Sequence, residues 1–225
     1  MNLFAQAIAW LIDPANQGGP DGIWTRSLEH VWYTVIAVVL ACLVAIPLGY
    51  LVGHTGRGRG LVVVSSGAAR ALPSLGVVTV AGLILGIGLT APMIALILLA
   101  IPSILAGAYA GLEAIDRQTI DAARAVGMSE WQILTRVEMP LGLPLLLGGV
   151  RSAVLQVVAT ATLAAYVGSG GLGRPMFLGL KTQDYAQMLA ASLVVVVLAL
   201  VLEGAFELIE RLARRRFAPV PSTST

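Results

Sequence analysis

From Ala71 to Leu112 the chain runs for 42 residues without a charged side chain. One crossing of a bilayer takes about 20 apolar residues, so this run is too long for one helix and suits two. Gly86-Ile87-Gly88-Leu89-Thr90-Ala91-Pro92 supplies a turn in its middle, because Gly and Pro punctuate helices. Val31 to Val52 is a second uncharged run of 22 residues. Leu141 to Val167 is interrupted only by Arg151, and Tyr185 to Leu202 begins a last apolar stretch that continues to about Ile209. The reading is an all-α, polytopic integral membrane protein. Its five spans lie near 31–52, 62–86, 92–111, 141–167 and 185–209, and a half-span near 61–72 would make six.

Composition agrees. Apolar residues make up 57% of the chain and charged residues 12%, about half the charge of an average soluble domain. That argues against an ordinary globular enzyme and against a disordered chain. A formal charge of +2 gives no dense basic face for nucleic acid. Cys42 is the lone cysteine, which excludes an intrachain disulfide and any CxxC metal site.

Charge sets the orientation, since Lys and Arg concentrate on the cytoplasmic side. With the N-terminus outside and the C-terminus cytoplasmic, Arg57, Arg59, Arg117, Arg124, Arg136, Arg211, Arg214, Arg215 and Arg216 face inward. Only Arg26, Arg174 and Lys181 face outward, with Arg70 and Arg151 inside spans. Tyr33, Tyr50, Tyr109, Tyr166 and Tyr185 fall near span ends, where aromatic belts sit. Met1 to Ile12 is apolar and too short to span. It lacks a basic n-region and an AxA-type cleavage site, and so reads as an interfacial helix rather than a signal peptide. Residues 1–24 form an external or interfacial segment, residues 25–210 the membrane domain and residues 211–225 a basic cytoplasmic tail. Arg214-Arg215-Arg216 reads as an inner-face anchor, and Pro219 to Thr225 as disordered.

The inner loop 112–140 is the best-specified water-facing part. Asp116 can cap a helix. Ile115, Thr119, Ala122, Ala123 and Val126 fall on one face by their spacing. Gly127 suits a left-handed stop, and Ser129-x-x-Gln132 is a capping box for a second helix, which Pro140 would end. Eight of the twenty-six charged residues fall between Glu113 and Glu138. A short helix at the inner face is a good shape for docking into a partner's groove.

Asp121-Ala122-Ala123, then Gly127, then Val137-Glu138-Met139-Pro140 resembles the cytoplasmic EAA loop of ABC-importer permeases. The departures are conservative: Asp for Glu, Val for Ile and Met for Leu. Arg70-Ala71-Leu72-Pro73-Ser74-Leu75-Gly76 and Tyr166-Val167-Gly168-Ser169-Gly170-Gly171-Leu172-Gly173 look like segments of permeases for glycine betaine, carnitine, choline and proline. Leu11-Ile12-Asp13-Pro14-Ala15-Asn16 with Glu29-His30 looks like the same osmoprotectant branch. The resemblance covers residues 25–210 and implies a type I ABC importer permease in a bacterial cell membrane, carrying no enzyme activity and no cofactor of its own. It implies coupling through Asp121, Ala122, Ala123, Gly127 and Pro140 to two cytoplasmic ABC ATPase subunits, which hold ATP and Mg. It further implies a second permease chain, alike or different, and an external substrate-binding protein.

Two motifs mislead. Gly168 to Gly173 matches GxGxxG, but a dinucleotide site needs a preceding strand and a βαβ unit. Here the segment follows a span, and a tight turn meeting the binding protein, through Gly168, Gly170, Gly171 and Gly173, is the functional reading. A simple glycine loop is the bland one. Gly179-Leu180-Lys181-Thr182 ends like a Walker A motif, yet Leu180 and Pro175 stand where that motif needs Gly.

Arg70 and Arg151 lie deep enough to be costly, and such charges face a bundle interior, a cavity or a partner. With Pro73 they are candidates for the translocation path or gate. The alternative is that helix-end carbonyls or snorkelling satisfy them. Glu203, Glu207 and Glu210 form an inner stripe, in which Glu207 pairs with Arg211. His30 and His54 flank the first span and form no metal site. Pro47, Pro73, Pro92, Pro102 and Pro144 predict kinks. Three rival readings are an ion-coupled secondary transporter, an intramembrane protease and a methionine- or phosphonate-type ABC permease. Spans one to four hold no Asp or Glu for ion coupling, and no Ser and His pair lies buried for proteolysis.

Overall fold

The computed structural model describes residues 2–217, without the side chains of residues 61, 65, 66, 68–70 and 214–217. The readings of the Arg70 side chain, of the Arg214-Arg215-Arg216 anchor and of Pro219 to Thr225 fall outside the described residues. Among the described residues there is no strand. The helices are α1 (Leu3–Ile12), α2 (Pro14–Gln17), α3 (Ile23–Thr55), α4 (Arg59–Ala71), α5 (Ser74–Leu85) and α6 (Thr90–Glu113). They continue as α7 (Arg117–Ala125), α8 (Glu130–Ile133), a π segment (Leu134–Glu138), α9 (Met139–Ala161), a 3-10 segment (Thr162–Val167), α10 (Gly173–Thr182) and α11 (Tyr185–Phe217).

Among the described residues, four helical stretches are long and apolar enough to cross a membrane: Ile23–Thr55, Thr90–Glu113, Glu130–Val167 and Tyr185–Ala213. The expected span 62–86 is not one helix but two, and this corrects the sequence reading. Pro73 has no N–H to give, and it disfavours helical backbone in Leu72 before it. The chain turns extended at Pro73 (φ −68°, ψ 113°) and α5 starts afresh at Ser74. At 13 and 12 residues, each piece reaches only about 20 Å, short of a 30 Å hydrocarbon core. The turn predicted at 86–92 is present, with Gly86 at φ 89° and Gly88 at φ 138°. Pro47, Pro102 and Pro144 sit inside continuous helices.

The core is the contact of α3, α6 and α9. On α3 a small residue recurs every fourth position: Ala37, Ala41 and Ala45, each fully buried, then Gly49 and Gly53. That spacing makes one ridge along the helix. A Cβ added to Gly49 would lie 2.5 Å from the Ala108 Cβ of α6. Between α6 and α9 the approach is backbone to backbone. A Cβ on Gly107 would lie 2.8 Å from the Gly149 Cα, and one on Gly111 would lie 2.6 Å from the Gly142 carbonyl oxygen. Such close packing of small residues holds membrane helices together where lipid removes the hydrophobic drive.

Many large apolar side chains of the outer faces point outward. Leu43, Leu48 and Leu51 of α3 and Val197, Leu200 and Val201 of α11 are exposed, as lipid-facing residues must be. The expected interfacial N-terminal segment is helix α1. Its Trp10 and Leu11 pack near Ile23, Leu172 and Ala191, while Leu3, Phe4, Ile8 and Ile12 are exposed.

Adjacent glycines of α9 test this packing. Gly149→Val forces side-chain atoms into the α6 backbone and costs about 3 kcal/mol or more. Gly148, with nothing within 4 Å of an added Cβ, accepts Ala with a gain of about 0.5–1 kcal/mol. Thermal unfolding of the two purified variants separates them.

Candidate functional site: an inner helical hairpin and an outer glycine loop

The inner hairpin is built from strong local signals. Asp116 caps α7 by accepting from the Gln118 N–H at 2.9 Å. Gly127, at φ 86°, closes it. Its N–H donates to the Arg124 carbonyl at 2.9 Å, and the Met128 N–H donates to the Ala123 carbonyl at 3.2 Å. These are the two bonds of a Schellman stop, with Met128 packing back as the motif requires. Ser129 and Gln132 form the expected capping box.

Two details differ from the sequence reading. The buried face of the hairpin is Ile120, Ala123 and Ile133, joined by Ile115, Met128 and Val137. Thr119, Ala122 and Val126 are exposed, although spacing had grouped them with Ile115 and Ala123. Ile115 precedes the Asp116 cap and so lies off the helix, and Ile120, omitted from that stripe, sets the packed face. Val126 is 78% exposed and Trp131 70%, an apolar patch on the water side. Nor does Pro140 end the second helix. Leu134–Glu138 widens into a π turn in which the Met139 N–H reaches the Leu134 carbonyl. The missing donor of Pro140 is absorbed there, and α9 continues without a gap.

A charge network fixes the hairpin to the bundle. Arg124 grips Glu130 with two hydrogen bonds, 2.9 and 3.1 Å, and lies 3.4 Å from Asp121. His54, at the inner end of α3, stands 3.5 Å from Glu130 and 2.5 Å from the buried Glu138. Glu130 hydrogen bonding raises the Arg124 pKa from its ordinary value. Nothing in the local sequence pointed to this role of His54, whose partners are 76 and 84 residues away.

The outer glycine loop is also pinned to α3. Arg26 donates to Glu29 at 2.7 Å and also to Asp21. Glu29 in turn accepts from the Gly171 N–H at 2.9 Å. The Leu172 N–H donates to Nδ1 of His30 at 3.4 Å, which leaves Nε2 to donate to the Val158 carbonyl at 2.9 Å. Gly170, Gly171 and Gly173 are buried and Gly168 is exposed. A Cβ on Gly170 would lie 2.4 Å from a Glu29 carboxylate oxygen, and one on Gly173 would run into the Thr162 carbonyl, so the backbone approach at Gly173 requires glycine. The hydrogen bond from Arg26 holds the Asp21 carboxyl below its ordinary pKa, with Arg174 adding a smaller effect.

Residues 45–215 match the family described as "Binding-protein-dependent transport system inner membrane component". The chain belongs to this family. It is 32% identical over 194 residues to the carnitine transport permease protein OpuCB of Listeria monocytogenes, covering 86% of this chain and 89% of the relative. It is 30% identical over 183 residues to the glycine betaine/carnitine/choline transport system permease protein OpuCB of Bacillus subtilis, covering 81% and 84%. The osmoprotectant import permease protein OsmW of Salmonella typhimurium is 31% identical over 185 residues, covering 79% and 85%. In fold, the chain superposes on an inward-facing structure of the MetNI methionine ABC transporter with a TM-score of 0.73 at 22% identity, covering 85% of this chain and 95% of that one. The permease is therefore a multi-pass inner-membrane transport component with the type I ABC importer permease fold. The secondary-transporter and protease readings fall away.

In this permease Arg151 is neither satisfied by helix-end carbonyls nor snorkelling. It reaches across to α11, where Nε donates to Glu203 at 2.8 Å and Nη1 lies 3.3 Å from Glu210. The complementary glutamates at 203 and 210 were the signal for this pairing. Glu207 pairs with Arg211 at 2.5 Å, as spacing implied. Pro73 divides α4 from α5. Arg151→Ala leaves two half-buried carboxylates facing each other and lowers stability by about 2 kcal/mol, between the exposed and buried limits. Adding Glu203→Gln and Glu210→Gln recovers most of it. Thermal unfolding of the single and triple variants measures both effects.

Proposed function

We propose that this chain forms half of the translocation path of an ATP-driven, binding-protein-dependent importer of osmoprotectants of the glycine betaine, choline, carnitine or proline type. The names of the curated relatives support this substrate class over a methionine- or phosphonate-type cargo. The chain itself performs no chemistry. ATP and Mg belong to two cytoplasmic ABC ATPase subunits, a second permease chain completes the path, and an external binding protein delivers the solute.

The observation that carries the reading is the exposed apolar surface of the inner hairpin. Ala122, Val126 and Trp131 face water on a helical hairpin fixed by a cap, a Schellman stop and the Arg124–Glu130 pair. Such a surface suits a groove of an ATPase subunit. Asp121 supports Arg124, Ala123 and Gly127 set the hairpin's shape, and Pro140 sets its junction with α9. ATP-driven closure of the ATPases moves α7 as a lever, and the paired permeases reopen toward the other side.

Two further features support the path. An apolar groove of about 640 Å³ lies between α5 and α6, with Pro73 at its rim, and it suits closure by the second permease chain. At the outer end, the buried glycines hold the shape of the 168–173 loop and leave exposed Gly168 to meet the binding protein. Arg70, on α4, is assigned with Pro73 to the same path. Arg151 belongs to it only as the tie that positions α9 against α11.

Val126→Asp tests the coupling surface. The residue is exposed, so the variant folds and assembles, while transport by the reconstituted complex drops by tenfold or more. Binding-protein-stimulated ATP hydrolysis falls with it. Unchanged transport and stimulation would remove the hairpin from the coupling role.

A further inference from the structure

A cavity of about 380 Å³ opens at the outer end of the molecule, between α1, α3, α10 and the glycine loop. Trp10, Asp21, Arg26, Ser169, Arg174 and Lys181 line it. Arg26 and Ser169 are each only 7% exposed. The terminal nitrogens of Arg26 are engaged by Glu29 and Asp21, but its Nε has no partner, and neither does the Ser169 hydroxyl. An unmet buried polar group costs about 1–3 kcal/mol, and here two belong to residues that line one cavity. Both can donate, so the missing partner is a group rich in acceptor oxygens.

The charge and surroundings narrow that group. Three cations line the cavity against the single carboxylate of Asp21, and Glu29 behind it leaves a net positive charge. Phe177 and Leu178 add apolar wall beside Trp10. Trp and basic side chains together mark the headgroup level of a membrane. The cavity lies at that level, at the first turns of α3 and α11. The exposed Leu3, Phe4, Ile8 and Ile12 of α1 give acyl chains a surface beside it. We propose that this cavity binds the phosphate of an anionic phospholipid headgroup, with Arg26 Nε and Ser169 Oγ donating to its oxygens and Arg174 and Lys181 supplying charge at the mouth. A free phosphate ion has the same oxyanion chemistry. The apolar face beside the cavity favours the lipid, and a zwitterionic headgroup would bring its own cation against three others.

The test uses the full chain in nanodiscs of phosphatidylglycerol or phosphatidylcholine, released into native mass spectrometry. Wild type retains one phosphatidylglycerol under conditions that strip phosphatidylcholine. Arg174→Gln with Lys181→Gln lowers that retention about thirtyfold, as expected for two interfacial charges at about 1 kcal/mol each. Arg57→Gln, an exposed inner cation, leaves it unchanged. Ser169→Ala weakens retention as well, yet melts no lower than wild type in phosphatidylcholine discs, because it removes a hydroxyl that has no protein partner. Equal retention of the two lipids, or unchanged retention in both variants, overturns the site. If inorganic phosphate alone stabilises the wild type in phosphatidylcholine discs and displaces phosphatidylglycerol, the lipid assignment is overturned in favour of the soluble ion.

Discussion

Lipid is as apolar as a leucine side chain, so helices in a bilayer gain little by hiding apolar surface from it. What holds α6 to α9 is contact made possible by missing side chains. Gly107 faces Gly149, and Gly111 faces Gly142, at distances where any Cβ would strike backbone. On the other flank Gly49 and Gly53 of α3 accept Ala108 and Leu112 of α6 in the same way. Dispersion falls off steeply with distance, so a gap of even one ångström forfeits a large part of each contact. The three helices consequently behave as one slab, and α11, α1, α10 and the broken α4–α5 segment are arranged around it.

Both water-facing devices hang from a single member of that slab. The outer glycine loop is held by Glu29 and His30, near the outer end of α3. The inner hairpin is held by His54, at its inner end. At 33 residues α3 is about 50 Å long, long enough to carry polar residues clear of the hydrocarbon at both ends. His30 accepts from one backbone N–H and donates to one carbonyl, and the Glu29 carboxylate accepts from Arg26 and from Gly171. These bonds offset the cost of placing His30 and Glu29 beside apolar helices, while Arg26 Nε in the same cluster keeps no partner.

Much of this was legible in the sequence, because the relevant signals are local. Asp116, Gly127, Ser129 and Gln132 act within four residues of themselves, and each does in space what its spacing implied. The apolar runs likewise revealed the long helices. What escaped was set by distant partners or by small numbers of atoms. Pro73 splits the expected span 62–86 near the start of the uncharged run from Ala71, and hydropathy does not register a missing N–H. The buried face of α7 was misread because a nine-residue helix has two turns of evidence, and Ile120 outweighs the weaker stripe of Thr119, Ala122 and Val126. His54 and Arg151 looked like isolated charges. Their partners lie far along the chain, on the inner hairpin and on α11, and only the packing of the helices brings them together.

Pro140 shows how one such residue sets geometry at a distance. In an uninterrupted α-helix its ring would collide with the carbonyl four residues earlier. The π turn at Leu134–Glu138 avoids that by taking in one extra residue. One residue is about 100° of rotation in an α-helix. Everything upstream of the turn therefore points about 100° away from where a continuous α-helix would direct it. That rotation turns Glu130 toward Arg124 and His54 and leaves Trp131 facing water. It also carries Glu138, inside the turn, to His54. Straightening the turn would pull Glu130 off both partners and release the hairpin from α3. Pro140 thus acts on the inner surface through register: it decides which side of α8 meets the bundle and which side is left for a partner.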